Sequence, residues 1–262
     1  MTKSSDKFYK ARVVQRTDLA ADLWKVRIAP EGPVSFVAGQ YATLAVEHKG
    51  RIIERAYSIA SSPYEPELEF FVELVAEGEL TPLLYELRHG HHLLMRKTMK
   101  GRFTLDLKSG HRRHLLLATV TGVAPYVSYV RTLYHDWKQN KLPAKLELFV
   151  LHGASRSSEL GYIAEMEQYA AEVPWLEYMP TISRPWEDTA WQRETGRVED
   201  LVRKYADLWG CAPGDTSVYL CGHPQMIETC MGILKRRRFS KEAIQQEVYW
   251  VPANLQKKSA AT

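Results

Sequence analysis

The feature that most constrains this chain is a change of texture about two-fifths of the way along it. Up to about residue 105, short segments alternate apolar and polar residues: Phe8 to Gln15, Leu23 to Ala29, Tyr41 to Val46, Ile52 to Ile59 and Leu68 to Val75. Turn formers such as Glu31-Gly32-Pro33, His48-Lys49-Gly50 and Ser61-Ser62-Pro63 separate them. Period-two alternation broken at this spacing predicts the strands of an antiparallel barrel or sandwich, with one short helix over Thr81 to Arg88. From about residue 113 unbroken apolar runs (Leu115 to Ala118, Leu146 to Leu151, Leu176 to Ile182, Val218 to Cys221) take turns with stretches of helical spacing. Those stretches are Val123 to Trp137, Leu160 to Ala171, Val198 to Tyr205 and Pro224 to Lys235. Buried runs alternating with helices are the pattern of a doubly wound parallel sheet. The expected fold is two domains, an N-terminal antiparallel β-barrel over residues 1–105 and a C-terminal α/β parallel sheet over residues 106–262. No linker rich in Pro, Gly or Ser lies between them, so they are expected to pack closely.

Composition removes several function classes. The 45% hydrophobic and 25% charged residues are an ordinary globular mix. The net charge of +4 is spread evenly, each part carrying two more basic than acidic residues when the chain is divided at residue 110; no nucleic-acid partner is expected. The three cysteines, Cys211, Cys221 and Cys230, lack CxxC spacing and encode neither a disulfide framework nor a zinc or iron–sulfur site. A reducing, cytoplasmic setting follows as the expectation. Charges occupy the place where a signal peptide would need its apolar core. The longest uncharged stretch, Leu115 to Val130, falls short of the roughly 20 apolar residues of a membrane span. Neither His89-Gly90-His91-His92 nor His111-Arg112-Arg113-His114 has a carboxylate or cysteine at ligand spacing, so no metal is expected. GxSxG and HExxH are absent, which leaves hydrolase chemistry without support.

An open parallel sheet takes its ligand at the carboxyl ends of its strands. Two such ends stand out: Ala118-Thr119-Val120-Thr121-Gly122-Val123-Ala124-Pro125 and Leu220-Cys221-Gly222-His223-Pro224-Gln225-Met226. In the first, a strand runs into a Thr/Gly turn and a helix with proline in its first turn, whose unpaired N–H groups can hold a diphosphate. An ordinary strand-to-helix turn has the same look. Neither GxGxxG nor GxxxxGK[ST] occurs. In the first half, Arg55-Ala56-Tyr57-Ser58 lies on a predicted strand with Arg55 and Tyr57 on one face and Ala56 and Ser58 on the other. Arginine can neutralise a diphosphate, tyrosine can lie against a flavin ring, and serine can hydrogen-bond a ring nitrogen.

Gly39-Gln40-Tyr41 precedes this motif, Gly78-Glu79-Leu80-Thr81 follows it, then come the two strand-end turns and the late aromatic pair Tyr249-Trp250. In this order the set resembles the ferredoxin–NADP reductase family, specifically the compact bacterial ferredoxin/flavodoxin–NADP reductases, from about Tyr9 to Trp250. The resemblance implies FAD in the first domain and NADP(H) in the second. It places Arg55, Ala56, Tyr57 and Ser58 at the FAD, with Arg55 on the diphosphate, Tyr57 against the ring and Ser58 near flavin N5. It places the backbone of Phe71, Val72, Glu73 and Leu74 along the flavin and ribityl chain, and Leu80 and Thr81 at the diphosphate. Thr121, Gly122 and Pro125 match the family's GTGxAP nicotinamide loop, with Val120 where glycine is usual; a β-branched residue there is expected to exclude positive φ. Cys221 matches the family's CGxP cysteine near hydride transfer, and is also the size of a plain core residue.

Ser183-Arg184 and Gly196-Arg197 are similar to the positions that grip the 2′-phosphate in the bacterial reductases, which favours NADPH over NADH. Ser155 or Arg156 stands where a further family arginine is common. Tyr249 and Trp250 resemble the aromatic end in which one ring covers the flavin and the next lies by the adenine; a register shift would exchange them. Ser58, Cys221 and Tyr249 are thus the expected catalytic residues. The basic runs Arg88 to Arg102 and Lys235 to Arg238 would suit an acidic ferredoxin or flavodoxin, although cations at a helix C-terminus also have a dipole reason to exist. The implied activity is an FAD-dependent oxidoreductase that takes hydride from NADPH at flavin N5 and passes single electrons to such a carrier. A flavin reductase, an oxygenase reductase, and a non-catalytic nucleotide- or partner-binding protein are the rival readings.

Overall fold

The computed structural model describes residues 7–142 and 145–249. Strands β1 (Phe8–Ala20), β2 (Leu23–Pro30), β3 (Tyr41–His48), β4 (Arg51–Ser58), β5 (Leu68–Glu73) and β6 (His92–Arg96) form an antiparallel sheet in the order β4-β3-β6-β1-β2-β5. Two register shifts in β1, between Val13 and Gln15 and between Asp18 and Ala20, bend this 13-residue strand. The sheet curls around Val13, Trp24, Ile28, Leu44, Phe70 and Met95 until its end strands β4 and β5 approach each other without pairing. The expected barrel is this curled six-stranded sheet.

Helix α1 (Thr81–Tyr85) stops three residues short of the expected Arg88. The Arg16 guanidinium donates to the carbonyls of Tyr85, at 2.5 Å, and Leu87, at 3.1 Å, and so takes acceptors that a continuing helix would use itself. Strand β6 was not expected at all. Its sequence begins in the histidine run and only Leu93 and Met95 point into the core, too few turns of alternation to stand out.

The second sheet is wholly parallel, in the order β11-β10-β7-β8-β9, built from β7 (Arg113–Thr119), β8 (Glu147–Ala154), β9 (Leu176–Ile182), β10 (Thr216–Gly222) and β11 (Ile244–Val248). Helices α2 (Ala124–Lys138) and α3 (Ile163–Glu172) cover one face; α4 (Val198–Leu208) and α5 (Pro224–Arg236) cover the other. Strand β11, Ile-Gln-Gln-Glu-Val, is an edge strand whose polar middle hides it from a hydropathy reading. The α2/α3 face shares one apolar cluster with Leu23, Ala60, Phe71 and Phe103 of the first domain. Beside it, Arg131 on α2 donates to Glu165 at 2.6 Å and to Glu69 on β5 at 3.0 Å, while Tyr162 and Arg27 also donate to Glu69, at 2.8 and 2.6 Å. Buried charges persist only with such partners, and this network fastens one domain to the other. The helix after β7 lies on the first-domain side and the helix after β10 on the opposite side, so the connections leaving the paired strands β7 and β10 part to opposite faces, which marks the crevice at the carboxyl ends of these strands.

Candidate active site

At that crevice the two strand-end turns clasp each other through glycines. A Cβ on Gly122 would stand 2.3 Å from the Cys221 carbonyl oxygen. One on Gly222, at φ +125°, would stand 2.3 Å from Thr119 Oγ1. That hydroxyl accepts the His223 N–H at 2.8 Å. No L side chain fits between the turns, so glycine at both positions follows from their close approach.

Val120 departs from expectation: its φ is +44° despite the β-branch. Such a residue costs on the order of 1–3 kcal/mol, and two features offset it. Its side chain packs against the apolar group of Ala154, Leu160 and Ile182. Its carbonyl oxygen lies 2.9 Å from Nε2 of the buried His152, whose Nδ1 lies 3.0 Å from the Tyr178 hydroxyl. Burial pushes the His152 imidazole down to about 4. The ring is therefore neutral, with Nε2–H donating to Val120 and Nδ1 accepting from Tyr178.

Residues far apart in the chain meet on the crevice wall. Ser58, at the end of β4 and buried, donates from Oγ to Glu247 Oε1 on β11 at 2.5 Å. Burial pushes the Glu247 carboxyl above its ordinary value, and the bond from Ser58 partly opposes this. Cys221, fully buried at the end of β10, has its thiol pushed well up by burial and by the Glu247 charge; it is a neutral thiol and no nucleophile. Tyr249 donates from its hydroxyl to the Thr121 carbonyl at 3.2 Å and from its backbone N–H to Gly222 at 3.2 Å. Burial, Cys221 and Glu247 raise its phenol. Ser58, Thr121, Gly122, Cys221 and Tyr249 are thus gathered in one place. Glu247 belongs with them and was missed: it sits two residues before Tyr249 in a polar strand, and nothing local distinguishes it from a solvated glutamate. Trp250 lies outside the described residues.

The remaining expected first-domain positions lie on or beside β4, β5 and the start of α1. Arg55 points outward, half exposed, and pairs with Glu79 at 3.1 Å. Ala56 is exposed, while Tyr57 is half-buried against the barrel core, which raises its phenol. Phe71 packs edge-on to Tyr162, and Val72 and Leu74 face the barrel core, leaving backbone rather than side chains toward any ligand. Leu80 is buried, and Thr81 Oγ1 both accepts from Val75 N–H and donates to Val75 C=O, each at 3.0 Å. Both side chains are thereby occupied, and what this corner can offer a phosphate is backbone N–H. On the other side, Gly196 N–H donates to Ile182 at 2.9 Å, which brings Arg197 near Ser183 and Arg184. The side chains of Arg184 and Arg197 are 48% and 64% exposed, and each has a carboxylate of the protein's own nearby, Glu187 at 3.6 Å and Glu199 at 3.9 Å. Arg156 lies beside them, its side chain bonded to Glu159 at 3.0 Å and to Glu187.

Members of the two histidine runs make local contacts. His91 Nδ1 accepts from Arg88 N–H at 3.3 Å, His111 Nδ1 lies 3.0 Å from Ser217 Oγ, and His114 is buried in β7. Among the described residues no group of three His, Cys, Asp or Glu could hold a metal ion. A cavity of about 550 Å³ lined by Arg112, Trp137, Glu147 and Trp175 opens at the amino ends of β7 to β9, away from the crevice. No helix among the described residues is long and apolar enough to cross a membrane.

The donor set fits a dinucleotide flavin beside a nicotinamide nucleotide: surface guanidiniums stand on both domains, Arg55 on the first and Arg184 and Arg197 on the second, and the clasped turns carry Thr121 and Cys221 beside Ser58 and Tyr249. The family model described as Oxidoreductase FAD-binding domain matches residues 10–105, and Oxidoreductase NAD-binding domain matches residues 116–231. The protein is a flavoprotein oxidoreductase with one domain for each nucleotide. Over 256 residues it is 31% identical to the flavodoxin/ferredoxin–NADP reductase of Buchnera aphidicola subsp. Baizongia pistaciae, covering 92% of this chain and 98% of that one. Over 240 residues it is 30% identical to the ferredoxin–NADP reductase of Pseudomonas aeruginosa, covering 86% and 88%. A crystal structure of a ferredoxin NADP+ reductase from Neisseria gonorrhoeae with bound FAD and NADP shares the fold, with TM-score 0.82 at 19% identity over 93% of this chain and 99% of that one. The chain belongs to the flavodoxin/ferredoxin–NADP reductase family.

Proposed function

We propose that this chain moves electrons between NADPH and a ferredoxin or flavodoxin by way of FAD, in the cytoplasm. The observation that carries the reading is the Ser58–Glu247 hydrogen bond, 189 positions apart in sequence, which closes the wall shared by the two nucleotide-binding domains. FAD, when bound, supplies the exchange between two-electron and one-electron chemistry. Arg55 and the backbone at Leu80 and Thr81 hold its diphosphate; Ala56 and Tyr57 hold its ring system, with the backbone of Phe71, Val72 and Leu74 along its chain. Thr121 and Gly122 shape the nicotinamide pocket, and Ser183, Arg184 and Arg197 hold the 2′-phosphate of NADPH. Ser58 orients the ring edge and keeps a proton at its Oγ, shared with Glu247. Cys221 contributes a small neutral contact, and Tyr249, anchored on Thr121, excludes water until the nicotinamide displaces it.

The basic stretch from Arg88 to Arg102 fits the acidic carrier. Tyr41 pairs with Ser58 on one side and with Lys100 on the other, which puts this positive stretch one strand from the crevice and lets charge steer the encounter. The three cysteines are all free thiols, which suits a reducing compartment. Purified protein is expected to carry a flavin spectrum that NADPH bleaches under anaerobic conditions. Ser58→Ala and Glu247→Gln each slow that bleaching by about tenfold, the worth of one hydrogen bond in a barrier, with FAD retained. Arg184→Ala and Arg197→Ala lower the preference for NADPH over NADH. Protein that cannot take up FAD, or an unchanged nucleotide preference, would overturn the reading.

A further inference from the structure

The arginines beside the proposed 2′-phosphate site are already occupied by an anion of the protein's own. Glu187 follows β9 in the short turn Pro185–Glu187, and its two carboxylate oxygens face two different guanidiniums. Oε2 pairs with Arg156, and Oε1 lies 3.6 Å from Arg184. Backbone bonds hold the turn in place: Ser183 and Arg184 N–H donate to Ala154 and Ser155 at 2.9 and 3.0 Å, and Glu187 N–H donates to Arg184 at 3.0 Å. On the Arg156 side, Glu159 is committed elsewhere as well, accepting Ser155 N–H at 2.8 Å. Glu187 makes no such backbone contact through its side chain among the described residues, and its side chain is one-third exposed. It is the member of the cluster free to leave.

We infer that Glu187 is a specificity-determining residue, whose carboxylate stands between Arg156 and Arg184 where the 2′-phosphate of NADPH binds and must be displaced by it. A phosphate dianion outcompetes a carboxylate for two guanidiniums because it brings more charge and a third acceptor oxygen. A nucleotide lacking the 2′-phosphate brings no such competitor, so Glu187 stays in place. The residue therefore lowers the affinity for NADPH selectively. The inference rests on the NADPH reading above.

The test is calorimetric binding of 2′-phospho-AMP and of 5′-AMP to the FAD-loaded protein at low ionic strength, with wild type and Glu187→Gln. Removing a one-third-exposed carboxylate from two guanidiniums is expected to raise the affinity for 2′-phospho-AMP by roughly three- to tenfold and to leave 5′-AMP unchanged. Glu187→Asp, which keeps the charge on a shorter arm, falls between. An equal gain for both ligands would show a general loosening of the turn and overturn the inference, as would an unchanged 2′-phospho-AMP affinity in a wild type that prefers it to 5′-AMP. Wild-type protein with no preference between the two ligands would instead bring down the NADPH reading, and the role of Glu187 with it.

Discussion

His152 provides a pH-dependent test of how the nicotinamide turn is held. Its imidazole is fully buried, bonded to the strained Val120 carbonyl on one side and to Tyr178 on the other, and burial pulls it from the ordinary 6.5 to about 4. Below pH 6.5 the unfolded chain takes up a proton at this residue and the folded protein does not until pH approaches 4. The unfolded form binds more protons, so stability falls as the pH drops through that window. Between about pH 7.5 and about pH 5 the loss from this one group is about 2 kcal/mol, and its full size below both values is about 3.4 kcal/mol at about 1.4 kcal/mol per pH unit. His114, also buried and also held at about 4 by burial and by His111, adds a loss of the same sign.

Glutamine at position 152 keeps a donor for Val120 but does not titrate. His152→Gln is expected to start about 1–3 kcal/mol less stable at about pH 7.5, from the imperfect replacement of a buried hydrogen bond. By about pH 5 the gap to wild type narrows by about 2 kcal/mol, because only wild type still carries the penalty. Urea denaturation at a fixed, saturating FAD concentration, followed by circular dichroism at both pH values, measures the gap. A gap that stays constant would refute the neutral, buried imidazole and with it the account of how Val120 tolerates positive φ.

Two further perturbations probe the scaffold. Gly222→Ala pushes a Cβ to 2.3 Å from Thr119 Oγ1 at φ +125°; a cost of about 3 kcal/mol lowers Tm by about 6–12 °C in a thermal melt, and an unchanged Tm would show that the clasp between the turns is not tight. Arg131→Met strips the cation from Glu69 and Glu165, costing about 3 kcal/mol at neutral pH. The Glu69 carboxyl, desolvated yet held below its ordinary value by Arg131 and Arg27, stabilises the fold above its unfolded value and loses that effect as pH falls through the lowered one; wild type and variant should therefore converge in acid, and denaturation midpoints that stay parallel well below the ordinary carboxylate range would count against the network.

Much of this architecture can be read locally. Hydrophobic period is a property of neighbouring residues, so the alternation before residue 105 and the apolar runs after residue 113 define an antiparallel and a parallel half without any knowledge of how they pack. The strand-end turns at Gly122 and Cys221-Gly222, and the β4 segment Arg55 to Ser58, are likewise written in short motifs. What local pattern lacks is partnership. Strands β6 and β11 earn their place through neighbours in the sheet, Leu94 against Lys10 and Ala45, Glu247 against Cys221, and their own periodicity is too short or too polar to announce them. The positive φ of Val120 is decided by His152 and by the apolar group around Leu160, against the residue's own preference. The sequence by itself determined the two-domain plan and the two strand-end turns that clasp each other, because both follow from spacing along the chain. Only the tertiary structure decided that Ser58 meets Glu247 and that Glu187 occupies Arg156 and Arg184, because a hydrogen bond or ion pair depends on where folding brings two groups and no residue records its distant partner.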